Sequence, residues 1–146
     1  MKFLSVLFFM SFSVFADFST LSTDEVIAKI EQGVQVVDIR RSDEFAKYGT
    51  IKGAHKLTFF DKNGNYDAEK WLIGLAKIVK NKNDEFILVC AHANRTKTVG
   101  KFLTTKTDYK NVRELDGGIN YGWIDKGFAT TKISVIPKNN PWYKFW

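Results

Sequence analysis

The sequence predicts an α/β domain in which a parallel sheet is covered by helices on both faces. Short apolar runs alternate along the chain with segments of helical periodicity, a pattern that is typical of strand–helix–strand units. The run at residues 86–89 is wholly apolar, as expected of a strand buried on both faces. About 130 residues follow the N-terminal apolar segment, enough for one domain with its own core and too few for two.

Capping and periodicity predict the elements of the first half. Ser22 and Glu25 have the spacing of a capping box, which indicates a short amphipathic helix that stops at Gly33. The elements expected after it are a buried strand, a short helix, a second strand and a turn, at residues 34–39, 42–49, 54–59 and 61–65.

A regular apolar stripe predicts the main helix of the second half, at about 67–80. Its members recur at helical spacing and are Ala68, Trp71, Leu72, Leu75, Ala76 and Val79. The elements expected after it are a strand, a helix, a last short strand, a tight turn and a final helix, at residues 86–89, about 96–105, 112–115, 116–118 and 119–124.

The N-terminus has the layout of a secretory signal peptide. Lys2 precedes an apolar run that extends to about Val14 and ends in a small-residue pattern at Ala16. This run is too short to span a membrane stably, so cleavage after Ala16 is expected, with an uncleaved anchor as the alternative. The expected division is therefore a signal peptide at 1–16 and one domain at 17–146.

Charge argues against a nucleic-acid partner. The net charge is +6, or +5 without Lys2, and the lysines are scattered and do not form a stripe. A solvated surface is the simpler explanation for such a distribution, and export makes nucleic acid a poor partner. A mildly positive surface can still attract a small anionic substrate.

Cys90 is the only cysteine, and its position favours reactivity. Exported proteins pair their cysteines, so a leftover one indicates intermolecular pairing or a reactive thiol. Cys90 ends the strand at 86–89 and precedes a helix, where unpaired N–H groups and the helix dipole favour a thiolate. Arg95 adds a fixed positive charge. These features describe a nucleophile that handles anions.

The number of residues between Cys90 and Arg95 favours sulfur over phosphate chemistry. Four residues separate them, whereas cysteine-dependent phosphatases have one more residue in a loop that wraps a phosphoryl group. The next position here is Thr96, which has no guanidinium group. The tighter loop suits a single sulfur atom held on the cysteine.

The loop CAHANRT at 90–96 is joined by two further motifs, VVDIRRSDEFAKYGTIKGAHKL at 36–57 and LDGGINYGW at 115–123. These three stretches, in this order over about 20–127, resemble the rhodanese superfamily, whose loop usually reads Cys-Arg-x-Gly-x-Arg-Ser/Thr. The resemblance implies a single rhodanese-like domain with a central parallel sheet of about five strands. The aromatic-rich segment 128–146 is expected to pack on it as a strap, with a partner-binding motif as the alternative.

The resemblance also implies a reaction. Cys90 would take a sulfane sulfur from thiosulfate or polysulfide, hold it as a persulfide, and release it to a thiol or cyanide. The expected substrate-binding residues are Arg95, Ala91, His92, Ala93, Asn94 and Thr96. We expect no cofactor, a monomer and a periplasmic location. The alternative is a sulfur-binding or redox-sensing module with little turnover.

The remaining candidates are supporting residues. Asp38 and Arg40 would support the loop from a neighbouring strand end, with solvated surface charges as the alternative. Gly117 and Gly118 would form a tight turn beside the loop. His92 would titrate near the substrate or be a bystander. Two histidines and one cysteine at unrelated positions give no metal-site spacing.

The loop departs from the family pattern at two of its positions. Ala91 replaces the first arginine, which removes a positive charge from the mouth of the site and is expected to weaken the preference for thiosulfate. Ala93 replaces the glycine, and its methyl group disfavours unusual backbone angles. Thr50 stands where the family has a histidine after Gly49.

Overall fold

Five parallel strands form one sheet in the computed structural model, which describes residues 16–133. The strands are β1 Asp17–Leu21, β2 Gln35–Asp38, β3 His55–Lys56, β4 Glu85–Val89 and β5 Asn111–Leu115. Their spatial order is β1-β5-β4-β2-β3, and each neighbouring pair is parallel. The expected parallel sheet of about five strands is confirmed.

Helices cover both faces of this sheet, as expected for the fold class. They are α1 Thr23–Glu31, α2 Ser42–Tyr48, α3 Ala68–Ile78, α4 Asn94–Lys106 and a π-helical segment Asn120–Ile124. Helices α3 and α4 pack in one apolar core, and α1 and the π-helical segment pack in the other. Strand β4 contributes Phe86 and Leu88 to the first core and Ile87 and Val89 to the second. The central strand is thus buried on both faces.

Local signals in the sequence explain the start of α1. The Ser22 backbone N–H donates to Glu25 Oε2 over 2.8 Å, and the Glu25 N–H donates to Ser22 Oγ over 3.4 Å. This reciprocal pair satisfies two N–H groups that the first turn of a helix would otherwise leave open. The capping box expected from the sequence is therefore present, and Val26 in the first turns of this helix is buried in the second core.

Two strands differ from the expectation. Strand β1 had no signal in the sequence, because it is an edge strand whose place is set by pairing with β5. Strand β3 covers only two residues of the expected 54–59, His55 and Lys56, which pair with the last two residues of β2. The chain beyond it carries Phe59 into an aromatic cluster. In that cluster the Phe59 ring centroid lies 4.7, 5.1 and 5.0 Å from those of Phe60, Tyr66 and Trp71.

Part of the expected organisation falls outside the described residues. Residues 1–15 of the expected signal peptide and 134–146 of the expected strap belong to this part. Between residues 16 and 133, no helix has the length and apolarity required to cross a membrane.

Candidate active site around Cys90

A tight loop joins Cys90, at the end of β4, to the first residue of α4. Cys90 is 1 % exposed. Helix α4 begins at Asn94, two residues earlier than expected, so Arg95 and Thr96 lie in its first turn. The residue before the helix, Ala93, has φ 60°, the one left-handed non-glycine residue among residues 16–133. This conformation costs an L-residue about 1 kcal/mol.

The glycine turn after β5 fixes the orientation of the loop's first peptide groups. The Ile119 N–H donates to the Cys90 carbonyl over 2.8 Å, and the Asn120 N–H donates to the Ala91 carbonyl over 3.0 Å. Gly118 makes this approach possible, since a Cβ there would lie 2.5 Å from the Cys90 carbonyl oxygen. In a trans peptide the N–H points opposite to its C=O. The N–H groups of Ala91 and His92 therefore point away from this turn.

Arg95 is bound by Glu44 of α2 through two hydrogen bonds. Its Nη1 donates to Glu44 Oε2 over 2.8 Å and its Nη2 to Oε1 over 2.6 Å. Hydrogen bonding to Glu44 raises the pKa of Arg95, and the nearby sulfur of Cys90 acts in the same direction. Burial acts to raise the pKa of Glu44, but hydrogen bonds from Arg95 and the Arg41 N–H hold it below its ordinary value. The positive charge is thus held in one place beside the loop.

A chain of hydrogen bonds connects Cys90 to a buried carboxylate. Cys90 Sγ lies 3.7 Å from Thr96 Oγ1, which donates to Glu114 Oε2 over 2.5 Å. The other carboxylate oxygen, Oε1, accepts from Thr20 Oγ1 over 2.8 Å. Thr96 and Glu114 are 1 % and 0 % exposed.

Asp38 and Arg40 are fully buried, so they are not solvated surface charges. Arg40 Nη2 donates to Asp38 Oδ2 over 2.7 Å and to the Gly49 carbonyl over 2.5 Å. The Thr50 hydroxyl donates to the same Asp38 oxygen over 2.5 Å. The pair fastens the end of α2 to β2, whose Asp38 lies in register with Val89 at the end of β4. It stabilises the frame beneath the loop.

The exposed residues of the loop border two clefts of about 470 Å³ each. His92 borders the first, where its ring lies 4.8 Å from that of Tyr121 and its Nε2 lies 3.0 Å from Asn120 Nδ2. Asn94 and Arg95 border the second. A larger cleft of about 810 Å³, lined by Tyr66 and Trp71 among others, does not include the loop.

The structure brings two carboxylates to the site that the sequence did not single out. Glu44 stood within the stretch that resembles the family, and the Glu-Phe pair there was the available signal. Glu114 had no such signal, because only the pairing of β5 with β1 brings it to Thr20. Among residues 16–133, no cluster of three or more His, Cys, Asp or Glu side chains is suited to hold a metal ion.

Comparisons with solved structures identify the fold. A rhodanese-like domain protein from Staphylococcus aureus is 22% identical, with 81% of this chain and 98% of that chain covered and a TM-score of 0.55. A rhodanese-like domain from Anabaena is 18% identical, with 84% and 83% covered and a TM-score of 0.56. Thiosulfate sulfurtransferase from Pseudomonas aeruginosa is 20% identical, with 76% of this chain and 19% of that chain covered and a TM-score of 0.60.

At these identities the similarity concerns the fold alone. No curated protein matches the chain. The profile of the rhodanese-like domain matches residues 22–125, more than half of the sequence. The chain therefore belongs to the rhodanese-like domain family.

Proposed function

We propose that this protein is a sulfurtransferase that carries a sulfane sulfur on Cys90. The observation that carries the proposal is the placement of the Cys90 sulfur at the N-terminus of α4, with Arg95 in the first turn of that helix. The helix N-terminus and the guanidinium group both favour negative charge beside the sulfur. Membership of the rhodanese-like family supports the same chemistry.

The reaction has two displacement steps. The Cys90 thiolate attacks the outer sulfur of thiosulfate, the S–S bond breaks, and sulfite leaves with the electron pair. The persulfide anion that remains on Cys90 is then attacked at its outer sulfur by cyanide or a thiolate. Thiocyanate or a new persulfide departs, and the Cys90 thiolate is restored. Such a sequence is ping-pong covalent catalysis and uses no metal or organic cofactor.

The loop supplies hydrogen-bond donors to the persulfide. The N–H groups of Ala91 and His92 point away from the glycine turn, which binds the carbonyl groups of the same two peptides, so these N–H groups are available to an outer sulfur. Two N–H groups of Arg95 are donated to Glu44, and the guanidinium group also interacts with the Cys90 sulfur. Because an arginine has five N–H donors, Arg95 can help to hold an anionic donor at the loop.

Ala91 bears on the choice of donor. A small apolar residue at this position leaves the mouth of the site without a second positive charge. Thiosulfate carries two negative charges, so its binding depends on positive charge at the mouth. We therefore place polysulfide beside thiosulfate as a donor, and thiols or cyanide as acceptors.

Export to a periplasm is part of the proposal. Strand β1 begins at Asp17, directly after the expected cleavage position, so cleavage there would leave all five described strands intact. In this scheme the mature protein acts as a monomer on small molecules, without nucleic acid and without a membrane span.

A sulfur-binding or redox-sensing module is the second candidate. The observation that favours it is the burial of Cys90, whose exposed fraction is 1 %. A sulfur so enclosed exchanges slowly with acceptors. The two candidates differ in turnover and not in loading.

Mass spectrometry of the loaded protein tests both. The protein is incubated with thiosulfate or polysulfide, the addition of one sulfur to Cys90 is measured, and cyanide is then added to follow discharge. Loading with rapid discharge supports the transferase, and loading without turnover supports the module. Absence of loading on a free thiol contradicts both. Cys90→Ser serves as the control that cannot load.

A further inference from the structure

Two clefts open at opposite ends of the contact between α2 and the loop that follows Cys90. His92 and Tyr48, the last residue of α2, border one of them. Arg95 and Arg41, the residue before α2, border the other. Each cleft has a volume of about 470 Å³, and no residue among 16–133 lines both. The loop that carries the sulfur therefore borders two separate spaces.

The first of these, which we call the aromatic cleft, is walled by rings and branched aliphatic side chains. These are Tyr48, His92, Tyr121, Ile124 and Ile133. No lysine or arginine is among the described residues that line it, and the one acid in that set is Asp125. Such a lining disfavours an anion and suits a neutral apolar or aromatic group.

The π-helical segment holds an exposed ring beside the loop. Its wide turn is closed by a hydrogen bond from the Asp125 N–H to the Asn120 carbonyl over 2.9 Å. Trp123 of this turn is buried, whereas Tyr121 is 61% exposed, and the Tyr121 ring lies 4.8 Å from the ring of His92. Turns of this kind are frequent at functional sites, and this one leaves an aromatic face open beside the loop.

The second space, which we call the cationic cleft, has the opposite chemistry. Its cations are Arg41, Lys62 and Arg95, and Asp61 is the one acid among the described residues that line it. The acids that pair with the two arginines lie outside this lining. Because an arginine has five N–H donors, each of these arginines keeps donors for a further anion. This end of the loop suits an anionic sulfur donor.

The proposed reaction has two substrates of different chemistry, and they react at different times. In a ping-pong sequence sulfite leaves before the acceptor reacts, so donor and acceptor need not share one place. Thiosulfate is an anion throughout, whereas the group attached to an acceptor thiol can be neutral and apolar. The two clefts match this difference.

We propose that the aromatic cleft binds the sulfur acceptor, a thiol that carries a neutral apolar or aromatic group, while the anionic donor reaches the loop through the cationic cleft. This inference rests on the proposed sulfur transfer. The acceptor thiol loses its proton to water, and its thiolate attacks the outer sulfur of the Cys90 persulfide. The bond between that sulfur and Cys90 Sγ breaks, the electron pair stays on Sγ, and the acceptor leaves as an organic persulfide.

The test measures the loading and the discharge of Cys90 as separate steps. Loading by thiosulfate is followed by mass spectrometry. The loaded protein is then freed of thiosulfate and discharged by 2-phenylethanethiol, by the anionic thiol 2-mercaptoethanesulfonate, or by cyanide. Each rate is compared between a variant and the wild type, so the intrinsic reactivity of each acceptor cancels.

One substitution in each cleft should affect opposite steps. In Tyr121→Ser we expect discharge by 2-phenylethanethiol to slow roughly five- to tenfold, with loading and discharge by the other two acceptors within about twofold of the wild type. In Lys62→Gln we expect loading by thiosulfate to slow about threefold at low ionic strength and less at high ionic strength. Discharge by 2-phenylethanethiol should stay unchanged in Lys62→Gln.

Two matched variants test whether the ring of Tyr121 is responsible. Tyr66 is also 61% exposed but lines the larger cleft, so Tyr66→Ser should leave every rate unchanged. Tyr121→Phe keeps the ring and should keep discharge by 2-phenylethanethiol within about twofold of the wild type. If Tyr121→Ser does not fold, Tyr121→Gln, a better helix former, gives the same readout.

The outcomes that overturn the inference differ from those that overturn the transfer. Discharge by 2-phenylethanethiol that is unchanged in Tyr121→Ser, or that slows equally with cyanide, overturns the role of the aromatic cleft. Residues 134–146 follow Ile133 in the sequence, and their occupation of this cleft would give the unchanged result. Loading and discharge that slow together in Lys62→Gln overturn the separation of donor and acceptor. If the wild type never loads, the proposed transfer fails together with this inference, whereas normal loading with a wrong pattern of discharge overturns this inference alone.

Discussion

Glu44 and Arg95 are joined by two hydrogen bonds of 2.8 and 2.6 Å, between α2 and the first turn of α4. The pair connects the segment after β2 to the loop that carries Cys90. Its geometry is that of a bidentate guanidinium–carboxylate contact, which fixes orientation as well as charge. The arginine of the loop is therefore positioned by an acid from another part of the chain, and this acid becomes a target for mutation.

Replacing Glu44 by glutamine should make stability less dependent on acid pH. Hydrogen bonds from Arg95 and the Arg41 N–H outweigh burial and hold the pKa of Glu44 below its ordinary value of 4.5 in the folded protein. The contribution of Glu44 to stability is therefore fully present above pH 4.5 and is lost as pH falls through the lowered pKa. At pH 7 we expect Glu44→Gln to cost about 1–2 kcal/mol, since Arg95 loses a charged partner. As pH falls through the lowered pKa of Glu44, the melting temperatures of the two proteins should converge.

Asp43→Asn is the matched control for that measurement. Asp43 lies on the same helix, one position before Glu44. It pairs with Arg41, but its side chain is 68% exposed. Pairs of this kind contribute little to stability. A loss in Asp43→Asn equal to that in Glu44→Gln, or a constant difference from pH 7 to pH 3, would contradict the role given to the buried pair.

Replacing Ala93 by glycine should stabilise the protein slightly. Ala93 has φ 60°, and glycine adopts this region without the steric cost of a Cβ, although it also loses more conformational entropy on folding. We expect a net gain of up to about 1 kcal/mol, which corresponds to a melting temperature higher by roughly 2–4 °C. Ala91→Gly is the control, since Ala91 has no positive φ, and it should lower the melting temperature.

Introducing an arginine at Ala91 should change donor preference. The side chain at 91 is at the edge of burial, 9% exposed, and an arginine there would add a charge at the mouth of the loop. We expect Ala91→Arg to lower the KM for thiosulfate about tenfold and to leave that for an uncharged organic trisulfide within about twofold, because only the dianion gains from the added charge. Steady-state kinetics with both donors provide the comparison. An equal change for the two donors would remove charge as the explanation.

Local signals in the sequence were sufficient for most of the framework. The capping box at Ser22, the apolar stripe of α3 and the apolar run of β4 depend on neighbours within a few residues, and each is found where it was expected. The loop after Cys90 followed from the ends of its two flanking elements. The first two residues of α4 were missed because Ala93 enters the helix from a left-handed conformation, which alanine rarely adopts.

Long-range pairings could not be read from the sequence in the same way. Strand β1 forms because β5 offers an open edge, and its own five residues carry no alternation. That pairing also carries Thr20 to Glu114, so a buried carboxylate behind Cys90 appears only once the sheet is assembled. Glu44 and Arg95 are 51 positions apart in the sequence, and neither segment contains a local pattern that predicts their contact.

Gly118→Ala should lower the free energy of unfolding by more than the cost of placing an alanine at a positive φ. A Cβ at this position would lie 2.5 Å from the Cys90 carbonyl oxygen and 2.6 Å from that of Ala91. The turn must then withdraw, and the hydrogen bonds from Ile119 and Asn120 to those carbonyls lengthen or break. We expect a loss of about 3 kcal/mol or more in the free energy of unfolding.

Gly53→Ala separates the steric effect from the conformational one. Gly53 also has a positive φ, 84°, but a Cβ there would have no atom within 4 Å. This variant should lose only about 1 kcal/mol, the cost of placing an L-residue in the left-handed region. Urea denaturation of both variants gives the difference, and sulfur loading of Cys90 shows whether the loop has moved. Equal losses in the two variants would mean that Gly118 matters for its backbone angle and not for its closeness to the carbonyls of the loop.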